Sequence, residues 1–431
     1  MRARVVAVLM VVGLVAVACG NEPSGGGGGG SGRPGVTDDE IRVGGVVGKT
    51  NPVGRPYTDG FVGAKAYFEM INEEGGVFGR EIKLVAERDD QSQASRNIQQ
   101  VRALVEEDKV FAVLPVVSQI FAGAQYLVDQ GVPTFGWNIN AEWSAGPNLF
   151  GEKGSFLCFD CPFIHPAYVA QQVGATNVAV FAYGNAAQSL DCAEGMRNGF
   201  ETFGPPVAFE DTSLTFGFTD LSADIAGIRD NDVDFVATCM DVNGNANIAQ
   251  AVKDAGIELK GIYSPEGYAQ DVLDDLGDKL EGFYFGAAFV PFEAPEGSEG
   301  MQQFLAAMEE RDKAPSEQGL AGWINAALFV EGLEAAGEDF TQKKVVDAIN
   351  KFTDFTANGI VGEQDWTKAH APNPEEDGCT ALLRVEGGEF VPVFGEPDNP
   401  FVCFQNDQVA KTGPPDLSSP VIRGAERGPS T

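Results

Sequence analysis

The residues that most often carry catalysis are scarce in this chain. It has two histidines, His165 and His370, and neither stands in a metal-binding spacing such as H-E-x-x-H. No G-x-S-x-G motif is present, and "GVVGKT" at 45–50 ends like a phosphate-binding loop but falls short of its spacing. Acidic residues are so abundant that a carboxylate pair carries little information, and "DNDVDF" lacks the rest of a calcium loop. The sequence therefore predicts no catalysis, no metal and no cofactor.

One cysteine, Cys19, follows an apolar run at the start of the chain. The run is preceded by Arg2 and Arg4, is too short to span a bilayer, and ends in the small residues of 16–18. It reads as an export signal over 1–18 and resembles a bacterial lipobox, in which Cys19 would carry the lipid. The Gly/Ser-rich residues that follow, within 19–37, predict a flexible tether. An ordinary signal peptide with an incidental cysteine is the alternative.

The remaining cysteines are even in number, which favours disulfides in an exported chain. Sequence alone does not fix the pairing. A redox-active Cys-x-x-Cys at Cys158 and Cys161 is an alternative, and no cysteines or histidines have zinc-site spacing. We expect the pairs Cys158–Cys161, Cys192–Cys239 and Cys379–Cys403.

Charge and length restrict the partners and the architecture. The formal net charge is −34, which argues against nucleic acid or an anionic lipid surface as partner. Membrane contact would then be made through the Cys19 lipid only. Almost 400 residues follow the tether, which is more than one hydrophobic core usually holds. We therefore expect two lobes.

From residue 40 onward, short apolar runs alternate with helical patterns. "EIRVGGVVG" reads as a strand, and the following helix places Phe61, Ala64, Phe68 and Ile71 on one face. "QIFAGAQYLVDQG" reads as a later helix of the first half. The same alternation restarts after about residue 155, and a hairpin with Gly387 at its turn comes near the end. This order predicts an α/β protein with two doubly wound parallel sheets.

In doubly wound sheets, ligands bind beyond the carboxyl ends of the strands. The loops at these ends are polar, and Lys49 and Arg55 are the cations that we find in them. A ligand carboxylate would then be held by backbone N–H groups at a helix start near Ser118. The loops supply our candidate ligand-binding residues: Tyr57, Ser118, Gln119, Trp137, Asn138, Asn140, Asp241 and Glu266.

Two long stretches carry a family resemblance. "INEEGGVFGREIKLV" followed by "DDQSQASRNIQQVRALV" resembles the first lobe of the substrate-binding proteins of branched-chain amino acid ABC transporters. "DFVATCMDVNGNANIAQAVKDAGIELKGIYSPEGY" resembles the second lobe, and the similarity covers about 40–395. The resemblance implies a type I periplasmic-binding-protein fold, in which two lobes are joined by three crossover segments.

The resemblance also implies roles for single residues. Ser118 falls where the family holds the α-carboxylate of an amino acid, and Glu266 falls where an acid meets the α-ammonium. Tyr57 falls near the position at which the family has an aromatic residue that helps to hold the α-ammonium. Trp137 is bulky where relatives often have a small residue, and Gln188 stands where an aromatic ring often stacks on the ligand. These departures indicate that the pocket is smaller than in the family or that its ligand is different.

The expected function is that of an extracytoplasmic, lipid-anchored protein that captures a small ligand and delivers it to an ABC permease. The ligand would be an amino acid or a related small carboxylate or amide. A ligand-sensing ectodomain with a signalling partner, or an exported hydrolase, are the alternatives. We expect a first lobe of 38–151 with 287–357, a second lobe of 152–286 with 358–404, and a loose tail over 405–431.

Overall fold

The computed structural model of the chain describes residues 33–51, 56–154, 162–370, 378–395 and 400–404. The expected export signal, Cys19, Cys158, Cys161 and the tail from residue 405 lie outside the described residues. No helix among the described residues combines the length and the apolar character needed to cross a membrane.

The first sheet has five parallel strands in the order β2-β1-β3-β4-β5. All six residues of its central strand are buried, as expected when helices cover both faces of a parallel sheet. The strands are β1 (Glu40–Val47), β2 (Glu81–Asp89), β3 (Ala112–Val117), β4 (Thr134–Gly136) and β5 (Leu149–Gly151). The helices between them are α1 (Asp59–Glu73), α2 (Ala94–Glu106) and α3 (Ala124–Gln130).

The second sheet repeats this plan and adds antiparallel strands at one edge. Its parallel part runs β7-β6-β8-β9-β10, with β6 (Val178–Tyr183), β7 (Val207–Leu214), β8 (Phe235–Cys239), β9 (Gly261–Ser264) and β10 (Phe283–Ala287). The added strands are β11 (Gly378–Glu386), β12 (Glu389–Val393) and β13 (Phe401–Phe404). The helices are α4 (Ile164–Gln172), α5 (Ala187–Phe203), α6 (Ser222–Asp230), α7 (Val242–Asp254) and α8 (Gln270–Leu276).

Three later helices, α9 (Glu299–Glu310), α10 (Glu317–Ala336) and α11 (Gln342–Ile349), return to the first sheet. Helix α10 crosses α1 at backbone contact. A Cβ atom built on Gly63 would lie 1.8 Å from the Gly319 carbonyl oxygen, and one on Gly322 would lie 2.0 Å from that of Gly60. Only glycine permits so close an approach, and these glycines thereby fix α10 against α1.

The chain passes between the sheets after β5, returns after β10 and passes again before β11. Hydrogen bonds join the third of these segments to each of the other two. The Gln364 side-chain amide donates to the Glu152 carbonyl oxygen at 2.7 Å, and the Val290 N–H donates to Ile360 at 2.8 Å. Together the two sheets and their crossings confirm the expected two-lobed α/β fold.

Several details differ from the sequence prediction. Helix α3 begins at Ala124 and not near Gln119, because Gly123 donates its N–H to the Asn97 side chain and the preceding turn stays non-helical. Strands β5 and β10 were not expected. The Trp366 ring packs on Phe150 at a centroid distance of 5.1 Å, so contact with the first sheet continues beyond the expected lobe boundary at 357.

Candidate ligand-binding cleft

The carboxyl ends of the two parallel sheets border a common cavity of about 300 Å³. From the first sheet, its walls take Gln119 after β3, Trp137 and Ile139 after β4, and Lys153 after β5. Glu317, the first residue of α10, completes that side. Residues from both lobes therefore face one space.

The second sheet contributes the opposite wall through the ends of three strands. Tyr183 ends β6, Asp241 follows β8, and Glu266 follows β9. The aromatic rings of Trp137, Tyr183, Phe216 and Tyr263 also line the cavity. The lining of the cavity thus combines aromatic rings with carboxylates.

Asp241 is fixed on both of its carboxylate oxygens. As the N-cap of α7 it accepts the Asn243 N–H at 2.8 Å, and it accepts the Tyr183 O–H at 2.5 Å. The positive end of the helix stabilises its negative charge. Burial, together with the charges of Asp241 and Glu266, raises the pKa of Tyr183 well above its usual value, so this hydroxyl remains a donor. The cavity therefore holds a preorganised carboxylate.

Replacing Tyr183 with phenylalanine is expected to lower the free energy of unfolding by about 1–3 kcal/mol, because it removes a buried hydrogen bond to a charged group. Urea unfolding measures the change. Tyr126→Phe is the matched control, since it removes a Tyr–Glu106 hydrogen bond at the exposed surface and should cost less than about 1 kcal/mol. Equal losses in both variants would contradict a buried role for the Tyr183 bond.

A disulfide joins Cys192 in α5 to Cys239 at the end of β8, with an S–S distance of 2.05 Å, and both residues line the cavity. The structure thus contains one of the expected pairs. The β11–β13 register sets Cys379 opposite Cys403. That pairing and the Cys158–Cys161 pairing stay predictions.

Lys153 is a cavity residue that the sequence analysis missed. Its ammonium lies 2.6 Å from a Glu317 carboxylate oxygen and 3.6 Å from Glu152. Burial lowers the pKa of Lys153, but the two carboxylates outweigh that effect and raise it, so the lysine is charged. The sequence signal for Lys153 is the short apolar run "NLFG" just before it, which contains β5 and ends beside the cavity.

Glu152 is 2% exposed and sits next to this pair. Burial raises the pKa of its carboxyl to about 7 from the ordinary 4.5, and the nearby Lys153 ammonium opposes the rise. Its Oε2 accepts the Asn138 N–H at 3.2 Å. A buried ionisable group thus lies where the chain leaves the first sheet.

The expected anion site at Ser118 is not formed by a helix start, because α3 begins at Ala124. Ser118 is 2% exposed, and its hydroxyl oxygen accepts the Ile120 N–H at 3.3 Å. The expected helix start at Ser118 was therefore wrong, while a ligand contact at Ser118 stays a prediction. A turn held by local hydrogen bonds occupies the place of the first helical turn.

The candidate residues separate into two groups. Gln119, Trp137, Asp241 and Glu266 line the 300 Å³ cavity. Asn138 and Asn140 instead donate their side-chain amides to backbone carbonyls, of Gly154 at 2.9 Å and Gln119 at 2.8 Å, and so shape the loop. Their ligand contacts, like that of Ser118, stay predictions.

Tyr57 packs its ring on Trp137 at 5.4 Å between centroids and borders a second chamber of about 380 Å³. Glu266 and Glu317 line both chambers, so the two adjoin. A larger groove of about 540 Å³ lies between the end of α5 and β7. It touches one lobe only and lies away from the carboxyl ends of the strands, and we therefore place the site in the cleft.

No group of three or more His, Cys, Asp or Glu side chains is arranged for a metal ion within the part of the chain that the structure describes.

Comparison with known structures finds the same fold in solute-binding proteins. The branched-chain amino acid transporter substrate-binding protein LivJ from Streptococcus pneumoniae, in complex with isoleucine, is 18% identical, with a TM-score of 0.66 over 82% of this chain and 98% of that one. A solute-binding protein from R. palustris in complex with benzoate is 18% identical, with a TM-score of 0.65 over 82% and 95%. A fatty acid ABC transporter substrate-binding protein from Thermomonospora curvata is 18% identical, with a TM-score of 0.67 over 89% and 97%.

No curated protein matches the chain in sequence. A family model described as periplasmic binding protein matches residues 40–389, which is most of the chain. That family consists of binding proteins and not of enzymes. The match and the two-lobed sheet architecture agree, and the chain belongs to the periplasmic binding protein family.

Proposed function

We propose that this protein is the extracytoplasmic receptor of an ABC importer, which captures a small solute between its lobes and delivers it to a permease. The observation that carries the proposal is the 300 Å³ cavity whose walls come from both sheets. A ligand in it contacts both lobes at once. Its binding therefore favours the closed arrangement over the open one.

The related structures are substrate-binding or solute-binding proteins of transporters, which supports a transport role for this chain. They are complexes with isoleucine and with benzoate and a protein of a fatty acid transporter, and these solutes differ in charge and shape. We therefore base the ligand class of this chain on its own cavity.

The hinge would involve the described residues of the segments that cross between the sheets, near 152–154, 288–298 and 350–370. We place the lobe boundaries of the proposal within these segments, with 366–370 on the first lobe because Trp366 packs on Phe150. The lipid on Cys19 and the glycine-rich tether would hold the receptor near its permease. The net charge of −34 disfavours direct contact with an anionic membrane surface.

The proposal predicts strong stabilisation by the correct solute. At a free concentration 100 times its dissociation constant, a ligand should raise the free energy of unfolding by about 2.7 kcal/mol. Thermal unfolding of the purified chain against amino acids, amino acid amides, amines, short-chain acids and aromatic acids measures this. NMR of each stabilising solute after prolonged incubation is the control. Unchanged solute supports a receptor, whereas conversion to a product, or no stabilisation by any solute, would reject the proposal.

A further inference from the structure

We infer that the cavity selects small organic cations, amines or quaternary ammonium compounds that carry no carboxylate, over organic acids. This inference rests on the proposed function, because it concerns the ligand of the same cavity. The argument comes from the charges, rings and hydrogen-bond donors that the described residues place there.

The charges of the cavity wall are unbalanced. Among its described lining residues, Asp241, Glu266 and Glu317 bring carboxylates, whereas Lys153 and His165 bring basic side chains. An excess of one sign of charge in a cleft attracts solutes of the opposite sign. The carboxylates would therefore attract a ligand cation and repel a ligand anion.

Lys153 is not available to an incoming carboxylate. Its ammonium lies between Glu317 at 2.6 Å and Glu152 at 3.6 Å. Glu317 accepts its hydrogen bond. A ligand acid at this point would compete with Glu317 for Lys153. It would also be repelled by Asp241 and Glu266, which line the same cavity.

The other expected place for a carboxylate, at Ser118, is not built as a helix start. The Ser118 side chain is buried, and its hydroxyl oxygen accepts the Ile120 N–H at 3.3 Å. Helix α3 starts too late to direct its first N–H groups at this point. Among the described residues, neither Lys153 nor a helix start at Ser118 therefore offers an uncontested place for a ligand acid.

Aromatic rings line the same cavity as these carboxylates. Trp137, Tyr183, Phe216 and Tyr263 line the cavity, and the Tyr183 and Phe216 centroids lie 4.4 Å apart. The faces of such rings attract ammonium groups, most strongly where water is excluded. Asp241 accepts a hydrogen bond from one of these rings, Tyr183, so the charge and the rings lie together.

The adjoining 380 Å³ chamber also has more acidic than basic side chains in its described lining. It adds the carboxylates of Asp59, Asp271 and Asp275, against the ammonium of Lys313. A cleft with one sign of charge raises the local concentration of oppositely charged solutes. Entry to the cavity would therefore favour cations too.

The test compares ligands that share a skeleton and differ in charge. Leucinamide is a cation, leucine a zwitterion and 4-methylpentanoate an anion, and phenylalaninamide, phenylalanine and 3-phenylpropionate form a second set. Choline is added as a quaternary ammonium probe. Titration calorimetry should show that in at least one set the cation binds at least tenfold more tightly than both partners, or that choline does so relative to every acid probe. Tighter binding of acids or zwitterions, or no binding of any cation, overturns the inference.

These outcomes are distinct from failure of the proposed function. If only acids or zwitterions stabilise the protein, the receptor proposal stands and the cation inference falls. If no solute in the wider panel binds, or a solute is converted, the receptor proposal itself fails.

Two variants test the residues involved. Asp241→Asn keeps an effective helix N-cap, and Glu266→Gln keeps the side-chain length. Each should weaken the bound cation at least tenfold and leave acid probes unchanged or tighter. Glu258→Gln, at an exposed position outside the cavity, removes the same charge and should change nothing. Equal affinities for the cation in all three variants would overturn the inference.

Discussion

Replacing Gly63 with alanine is expected to lower the free energy of unfolding by about 2–3 kcal/mol, the usual cost of overpacking. The new Cβ atom would lie 1.8 Å from the Gly319 carbonyl oxygen and 2.7 Å from its carbon. These are backbone atoms, so the clash is relieved only by moving α10 away from α1. The loss should appear even though alanine favours a helix by about 1 kcal/mol over glycine.

Urea unfolding measures this change, and Gly362→Ala is its matched control. A Cβ atom on Gly362 meets nothing within 4 Å, so that variant should keep wild-type stability within about 0.5 kcal/mol. Because α10 begins with Glu317, Gly63→Ala should also weaken ligand binding by displacing the partner of Lys153. A stability for Gly63→Ala equal to that of the control would show that the helices do not cross as described.

The second large effect concerns pH and the buried Glu152. The pKa of its carboxyl is about 7 in the folded chain, above the ordinary 4.5. The folded state thus binds the proton more tightly, and the resulting stability is full below about pH 4.5 and is lost as the pH rises through about 7. At about 1.4 kcal/mol for each pH unit, the loss reaches about 3 kcal/mol.

Wild type should therefore lose about 3 kcal/mol more than Glu152→Gln between about pH 5 and pH 8, because glutamine does not titrate. Urea unfolding at each pH gives both slopes. Glu309→Gln, at an exposed position of α9, serves as control and should keep the wild-type slope. If Glu152→Gln keeps that slope as well, the carboxylate is solvated or fully paired in the folded state.

Much of the fold followed from local sequence patterns. Alternating apolar runs and helical faces predicted the two sheets, since each pattern reflects burial of one element against its neighbours. Strand β5 was missed because three residues carry almost no periodicity. The helix expected near Gln119 was placed too early because hydrogen bonds from Gly123 to Asn97, 26 residues away, override local propensity.

The site was harder to predict because it, too, depends on contacts between residues that are far apart in the sequence. Asp241 and Glu266 directly follow recognisable strands, so their position at the cavity could be inferred. Lys153 and Glu317 are 164 residues apart and meet only through the packing of α10 on the first sheet. Neither residue alone indicates an ion pair, and the late start of α3 after Ser118 depends equally on a tertiary contact, from Gly123 to Asn97.

The amide of Gln364, which reaches across to the Glu152 carbonyl oxygen, has a mechanical consequence. It joins two stretches of chain that lie 212 residues apart in sequence and that both run between the halves of the molecule. Connectors tied in this way do not flex independently. We therefore expect the two connectors to move together in the proposed closure of the lobes, so that a substitution in one would affect both.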